Sequence, residues 1–185
     1  MQVRSRTIYL FIWLLLSAGC FMPIAQANSQ TWRPSQDQVA VAMDLMDRYL
    51  TKMGAADARE AYGLMTEGFR DMVPFATFAQ DQLSTTSLTG DLIGRKILHI
   101  EWSKDPSGGP KPGVYVSVDL TLVFQRTHLY CGYVVLYQPP AGGSFAVMRN
   151  ERNFIDDTTI EKLGKAKAAE SWSQISKNCP NYAGG

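Results

Sequence analysis

Arg149 and Glu151 are the charged pair whose spacing could build a binding site. They stand two residues apart in the stretch 144–155, whose alternation predicts a strand. Side chains two apart share one face of a strand, so both are expected on the face of Phe145 and Val147. If that face points into the core, the two charges lie at its inner rim and line a polar pocket. Otherwise they form a structural ion pair or a solvent-facing strand end.

Few other residues have the types and spacing that catalysis or metal binding needs. His99 and His128 are the two histidines, too few for a multi-histidine zinc site, and each is expected to be an ordinary strand residue. The sequence has no phosphate-binding glycine loop, Cys-x-x-Cys pair, His-Glu-x-x-His motif or nucleophile elbow. No catalytic residue, metal ligand or cofactor is therefore predicted.

Cys131 and Cys179 are the two cysteines beyond the N-terminal segment. In an oxidising compartment such a pair favours a disulfide, which would tie the C-terminal tail to the sheet. The alternative is a small buried strand residue and a free thiol. Spacing alone does not decide between the two interpretations.

The N-terminus has the three parts of a secretion signal. Two arginines within the first six residues precede an uncharged apolar run over 8–16, and Ala25-Gln26-Ala27 is a signal-peptidase site. The prediction is cleavage between Ala27 and Asn28 and release into a bacterial periplasm.

Two alternatives to that cleavage stay open. Leu16-Ser17-Ala18-Gly19-Cys20 resembles a lipobox, in which Cys20 would be lipidated and hold the protein on a membrane. Residues 8–27 are also just long enough to span a bilayer as an uncleaved anchor. Membrane association is expected only through one of these two routes.

Charge excludes one class of partner. The 18 basic and 17 acidic residues nearly cancel and are scattered along the chain. A nucleic-acid-binding domain needs a basic face, so no nucleic-acid partner is predicted.

The pattern of the remaining chain predicts an α+β domain. Ser35 and Gln38 form a capping box for a first helix, two more helices follow, and then the period changes to that of strands. Short connections between about four strands favour an antiparallel sheet with the N-terminal helices packed on it. The predicted segments are a signal peptide at 1–27, an exposed lead-in at 28–34, the α+β domain at 35–155, and a C-terminal helix with a flexible tail at 156–185.

This order of elements resembles the NTF2-like fold, also described as a cystatin-like cone, in which helices pack into a bent sheet. The stretches Gly94–Ile97, Lys111–Val116 and Ser144–Arg149 are also similar to exported bacterial proteins of the DUF4019 type, for which no activity is established. Enzymes with this fold use a carboxylate base that faces the inside of the cone, so an enzyme of this kind would need such a residue here. Here alternation sends Asp119 to the face opposite Val118, where a surface residue is expected.

The resemblance implies a non-enzymatic envelope protein that binds a small ligand or a protein partner through the open end of the cone. One alternative is an isomerase or hydrolase that uses the same cavity. Another is a scaffold component of an envelope secretion assembly. The sequence indicates neither the ligand nor the oligomeric state.

Overall fold

The computed structural model of the chain describes residues 32–55 and 57–183. Six α-helices and four strands follow one another in this part of the chain, and a short 3-10 helix comes after them. Their bounds are α1 Gln36–Gly54, α2 Ala58–Gly63, α3 Glu67–Met72, α4 Phe75–Thr89, β1 Leu92–Lys104, β2 Val114–Phe124, β3 Leu129–Gln138, β4 Ala146–Ile155, α5 Asp157–Leu163, α6 Lys165–Ile175 and the 3-10 helix Ser176–Asn178.

Helix α1 begins at the predicted capping box. The Ser35 side chain accepts from the Gln38 backbone at 3.1 Å, and the Gln38 side chain accepts from the Ser35 backbone at 3.0 Å. These bonds satisfy amides that the helix itself leaves without partners. One face of α1 is buried against the sheet, and its members are Ala42, Leu45, Met46, Tyr49, Leu50 and Met53.

The sheet is antiparallel in the order β1-β2-β3-β4, and the prediction of an α+β domain is confirmed. Alternate residues of β2, among them Val116, Val118 and Leu120, face the helices and join one continuous core with α1. We call this side the inner face of the sheet. The even spacing of apolar residues in β2 is the reason that this face can be buried along its length.

The outer face of the sheet carries a second, smaller core. It consists of Cys131, Ile155, Trp172 and Cys179, all buried. The sulfur atoms of Cys131 and Cys179 are joined in a disulfide, with 5.9 Å between the two Cα atoms. The segment predicted as a flexible tail is therefore folded back against the sheet at least as far as Asn181, whose side chain bonds to β2.

An irregularity in β4 decides which way its side chains point. Leu136 of β3 pairs with Val147, but the next residue, Val135, pairs with Arg149, which leaves Met148 as an extra residue. Such a bulge adds one residue to one strand only. Because side chains alternate with a period of two, every side chain beyond Met148 is on the face opposite to that expected from simple alternation.

Other element boundaries differ modestly from the predictions. Four helices precede the sheet where three were predicted, because the short helix α3 was not predicted between the second and third. The predicted C-terminal helix is two helices, separated at Gly164 with a φ of 80°. No helix in the described part of the chain is long and apolar enough to cross a membrane.

Loss of the disulfide is expected to destabilise the protein. The bridge closes a sequence separation of 48 residues, so the double variant C131S/C179S should lose about 2–4 kcal/mol of unfolding free energy. Urea denaturation followed by circular dichroism measures the change. Reducing agent should lower the stability of the original protein by a similar amount and leave the double variant unaffected. Equal stability of both proteins under oxidising conditions would contradict this prediction.

Candidate functional site

The bulge corrects the prediction for Arg149 and Glu151. Both lie on the outer face, not at the inner rim with Val147, because Met148 intervenes. They form an ion pair of 3.0 Å with side chains 61% and 38% exposed, and the Arg149 guanidinium lies 5.3 Å from the Tyr133 ring centre. The structural ion pair is thus what the structure shows for these two residues.

Asn150 and Arg152 take the inward positions instead. The Asn150 side-chain amide donates to the Tyr49 hydroxyl of α1 at 3.0 Å. Arg152 reaches α4, where it pairs with the carboxylate of Asp81 and donates to the Thr85 hydroxyl at 3.2 Å. Only 19% of the Arg152 side chain is exposed. These bonds join β4 to both helices across the interior of the domain.

Gly132 of β3, which pairs with Arg152, lets the two strands approach closely. A Cβ atom at this position would lie 2.1 Å from the Glu151 carbonyl oxygen. Any side chain here would therefore push β4 away from β3 and displace Arg152 from α4.

The polar side chains Tyr49, Asp81, Asn150 and Arg152 line a cavity of about 280 Å³, which we call the inner cavity. It lies between α1, the α2–α4 region and β4. The rest of its wall is mostly apolar and is formed by Met53, Met65, Phe69, Val73, Thr77 and Phe78. An apolar wall with a few convergent polar groups is the usual composition of a small-molecule site.

The Tyr49 hydroxyl is a donor within this cavity. The side chain is fully buried, and burial raises the pKa of Tyr49 to about 12, although the hydrogen bond from Asn150 and the charge of Arg152 act in the opposite direction. At neutral pH the hydroxyl therefore keeps its proton. Since it accepts from Asn150, its own hydrogen is the one to offer to a ligand.

A small recess adjoins the inner cavity. Its volume is about 30 Å³, and it shares Met53, Asn150 and Arg152 with the inner cavity. Gln82 lines it and is 3% exposed, and the Gln82 Oε1 atom has no hydrogen-bond partner within the described residues. This acceptor complements the donors of Tyr49 and Arg152.

Asp119 is not the surface residue that was expected. It does lie on the face opposite Val118, yet it is only 3% exposed. The segment after α6 covers it, and the Asn181 side-chain amide donates to Asp119 Oδ2 at 2.6 Å. The error arose because alternation gives the face of a residue and not what later covers that face.

The remaining predicted residues are not part of the inner cavity. His99 is exposed on β1, and His128 makes an exposed contact of 3.3 Å with Asp157. No group of three His, Cys, Asp or Glu side chains in the described ranges could hold a metal ion. Ala27, Asn28 and Cys20 lie outside the described residues.

Sequence reasoning missed Tyr49, Asn150 and Arg152. Tyr49 comes three residues after Met46 and four before Met53, a spacing that puts the three side chains on one helix face. A tyrosine on such an apolar face signals a buried hydroxyl that needs a partner. Asn150 and Arg152 could have been found only with knowledge of the bulge.

Comparisons of the chain with protein-family models, with curated proteins and with solved structures find no match. What the protein does must therefore follow from the chemistry of its own surfaces and cavities.

Replacing the two arginines of β4 should have unequal effects on stability. Arg152→Ala removes two contacts of a largely buried side chain to α4 and should cost about 1–3 kcal/mol of unfolding free energy. Arg149→Ala removes an exposed pair on the opposite face and should cost less than about 1 kcal/mol. Urea unfolding of both variants measures the difference. Equal losses, or a larger loss for Arg149→Ala, would contradict the inward placement of Arg152.

Proposed function

We propose that the protein is an exported envelope protein whose α+β domain, of the NTF2-like kind, binds a small ligand without catalysing a reaction. The inner cavity is the binding site. The observation that carries this proposal is the meeting of Tyr49, Asn150 and Arg152 with an apolar wall in one cavity.

The donors of the site favour a ligand with a hydrogen-bond acceptor. Tyr49 offers one hydroxyl hydrogen, and the guanidinium of Arg152 has five N–H groups, of which Asp81 and Thr85 engage only some. A carboxylate is the acceptor that gains most from an arginine, because the hydrogen bond is charge-assisted. The apolar wall in turn favours a hydrocarbon body.

The volume limits the part of the ligand that this cavity can enclose. About 280 Å³ lies near the lower end of the range for small-molecule sites. A medium-chain carboxylate such as octanoate combines the required acceptor with a body of suitable size, and it is the probe of choice for this site.

Octanoate should bind with one site per chain, and 1-octanol should bind more weakly because it lacks the charge. Arg152→Met should weaken octanoate binding about ten- to hundredfold, and Tyr49→Phe should weaken it by a smaller factor. Isothermal titration calorimetry of the purified proteins measures each affinity.

Arg149→Met is the matched control, since it changes an arginine on the same strand that faces away from the cavity. It should change octanoate affinity by less than about twofold, well below the loss of about tenfold or more expected for Arg152→Met. The absence of octanoate binding, or an equal loss with Arg149→Met, would rule out the proposed site.

The location of the protein has its own test. Intact mass of the protein isolated from its cells should correspond to a chain that begins at Asn28. Ala27→Trp should then leave the precursor uncut, because the peptidase accepts only small residues there. Cys20→Ser should not alter processing. A lipid-modified chain that begins at Cys20, or an uncut chain that begins at Met1, would be the contradicting results.

A further inference from the structure

A second concave surface, which we call the outer groove, lies over the outer face of the sheet, reaches the edge of β4 and has a volume of about 610 Å³. Its apolar walls come from several separate parts of the chain, and Val135 of β3 is one of the lining residues. Met72 projects from α3 and is 77% exposed, Pro106 and Pro110 belong to the loop between β1 and β2, and Met148 is the extra residue of the bulge. An exposed methionine beside an apolar groove indicates a surface that another apolar group can cover.

The outer groove and the inner cavity have two lining residues in common, Phe69 and Asn150. The Phe69 ring packs edge-on against Phe78 with 6.1 Å between ring centres, and the Asn150 amide is bonded to Tyr49. One ring and one amide thus stand between the two spaces.

The backbone explains why the two spaces adjoin at this place. Before the bulge, the edge of β4 is closed by hydrogen bonds of Val147 to Leu64 and to Thr66, each 2.8 Å long. Beyond Met148 the strand alternation is reversed, and Phe69 of α3 lines both spaces there together with Asn150. The bulge therefore places the outer groove next to the inner cavity.

The lining of the outer groove fits a hydrocarbon chain better than a peptide. A peptide bound as an added strand needs a row of backbone donors and acceptors, whereas Ser103, Arg149 and Asn150 are the only polar side chains among the described lining residues other than Tyr115. Arg149 is paired with Glu151. The Tyr115 hydroxyl is likewise engaged, since it donates to the Lys111 carbonyl at 2.5 Å.

We propose that the ligand is a long-chain amphiphile with an acceptor head group. The head is held by Tyr49 and Arg152 in the inner cavity, and the acyl chain passes Phe69 and lies in the outer groove. This inference rests on the proposed function and adds to it the ligand class and a second compartment of the site.

A series of carboxylates of increasing length tests the inference. Affinity should rise from octanoate through dodecanoate to hexadecanoate by about two- to fourfold per added methylene, because each added group is buried against apolar surface. Titrations are made below the micelle concentration of each carboxylate, with one bound ligand per chain expected.

Met72→Glu should abolish the gain with length and leave octanoate affinity unchanged. Met72 is 77% exposed, so the variant should fold normally. Ile93→Glu is the matched control, since Ile93 is 66% exposed on β1 and is not among the residues that line the outer groove. It should retain the full gain with length.

The outcomes separate the inference from the proposed function. Octanoate binding without a gain for longer chains would overturn the second compartment alone, and so would a gain that Met72→Glu leaves intact. Loss of hexadecanoate binding in Arg149→Met but not in Arg152→Met would place the head outside the cavity and would also overturn it. No binding of any carboxylate would overturn the proposed function and this inference together.

Discussion

One extra residue in β4 determines which polar side chains of this strand lie on each face of the sheet. Without the bulge at Met148, Arg149 and Glu151 would point towards the helices, and Asn150 and Arg152 would point away from them. With it, the helices receive one guanidinium and one amide, and the ion pair lies on the outside. The polar contents of the inner cavity therefore follow from a local backbone irregularity.

The inward guanidinium is tolerated because the helices supply partners for it. Arg152 pairs with Asp81 and Thr85, which are four residues apart and so share one face of α4. A buried cation without such partners would cost several kcal/mol. The same contacts hold α4 against the sheet at a place where the wall is otherwise a cavity, so they serve the fold and the site together.

The sequence was sufficient for those features that depend on local patterns. The Ser35–Gln38 capping box predicted the start of α1, and the change to a strand period with short connections predicted the antiparallel sheet that follows the helices. The sequence was insufficient to predict the bulge, because Met148 is neither a glycine nor a proline. Val147 is also buried whether the bulge is present or not, so its burial does not reveal the bulge. The cover over Asp119 also depends on a contact with Asn181, 62 residues further along the chain.

Two buried side-chain atoms in the described part of the chain have no hydrogen-bond partner, and their positions differ in a way that bears on function. Asp119 Oδ1 lies under the C-terminal segment that the disulfide holds in place, whereas Gln82 lines the recess beside the inner cavity. An unsatisfied buried acceptor costs roughly 1–3 kcal/mol. A donor that enters the recess could recover that cost at Gln82, whereas at Asp119 the C-terminal segment would first have to be displaced. The unsatisfied acceptor on the inner face is thus the one that adjoins the proposed binding site of Tyr49 and Arg152.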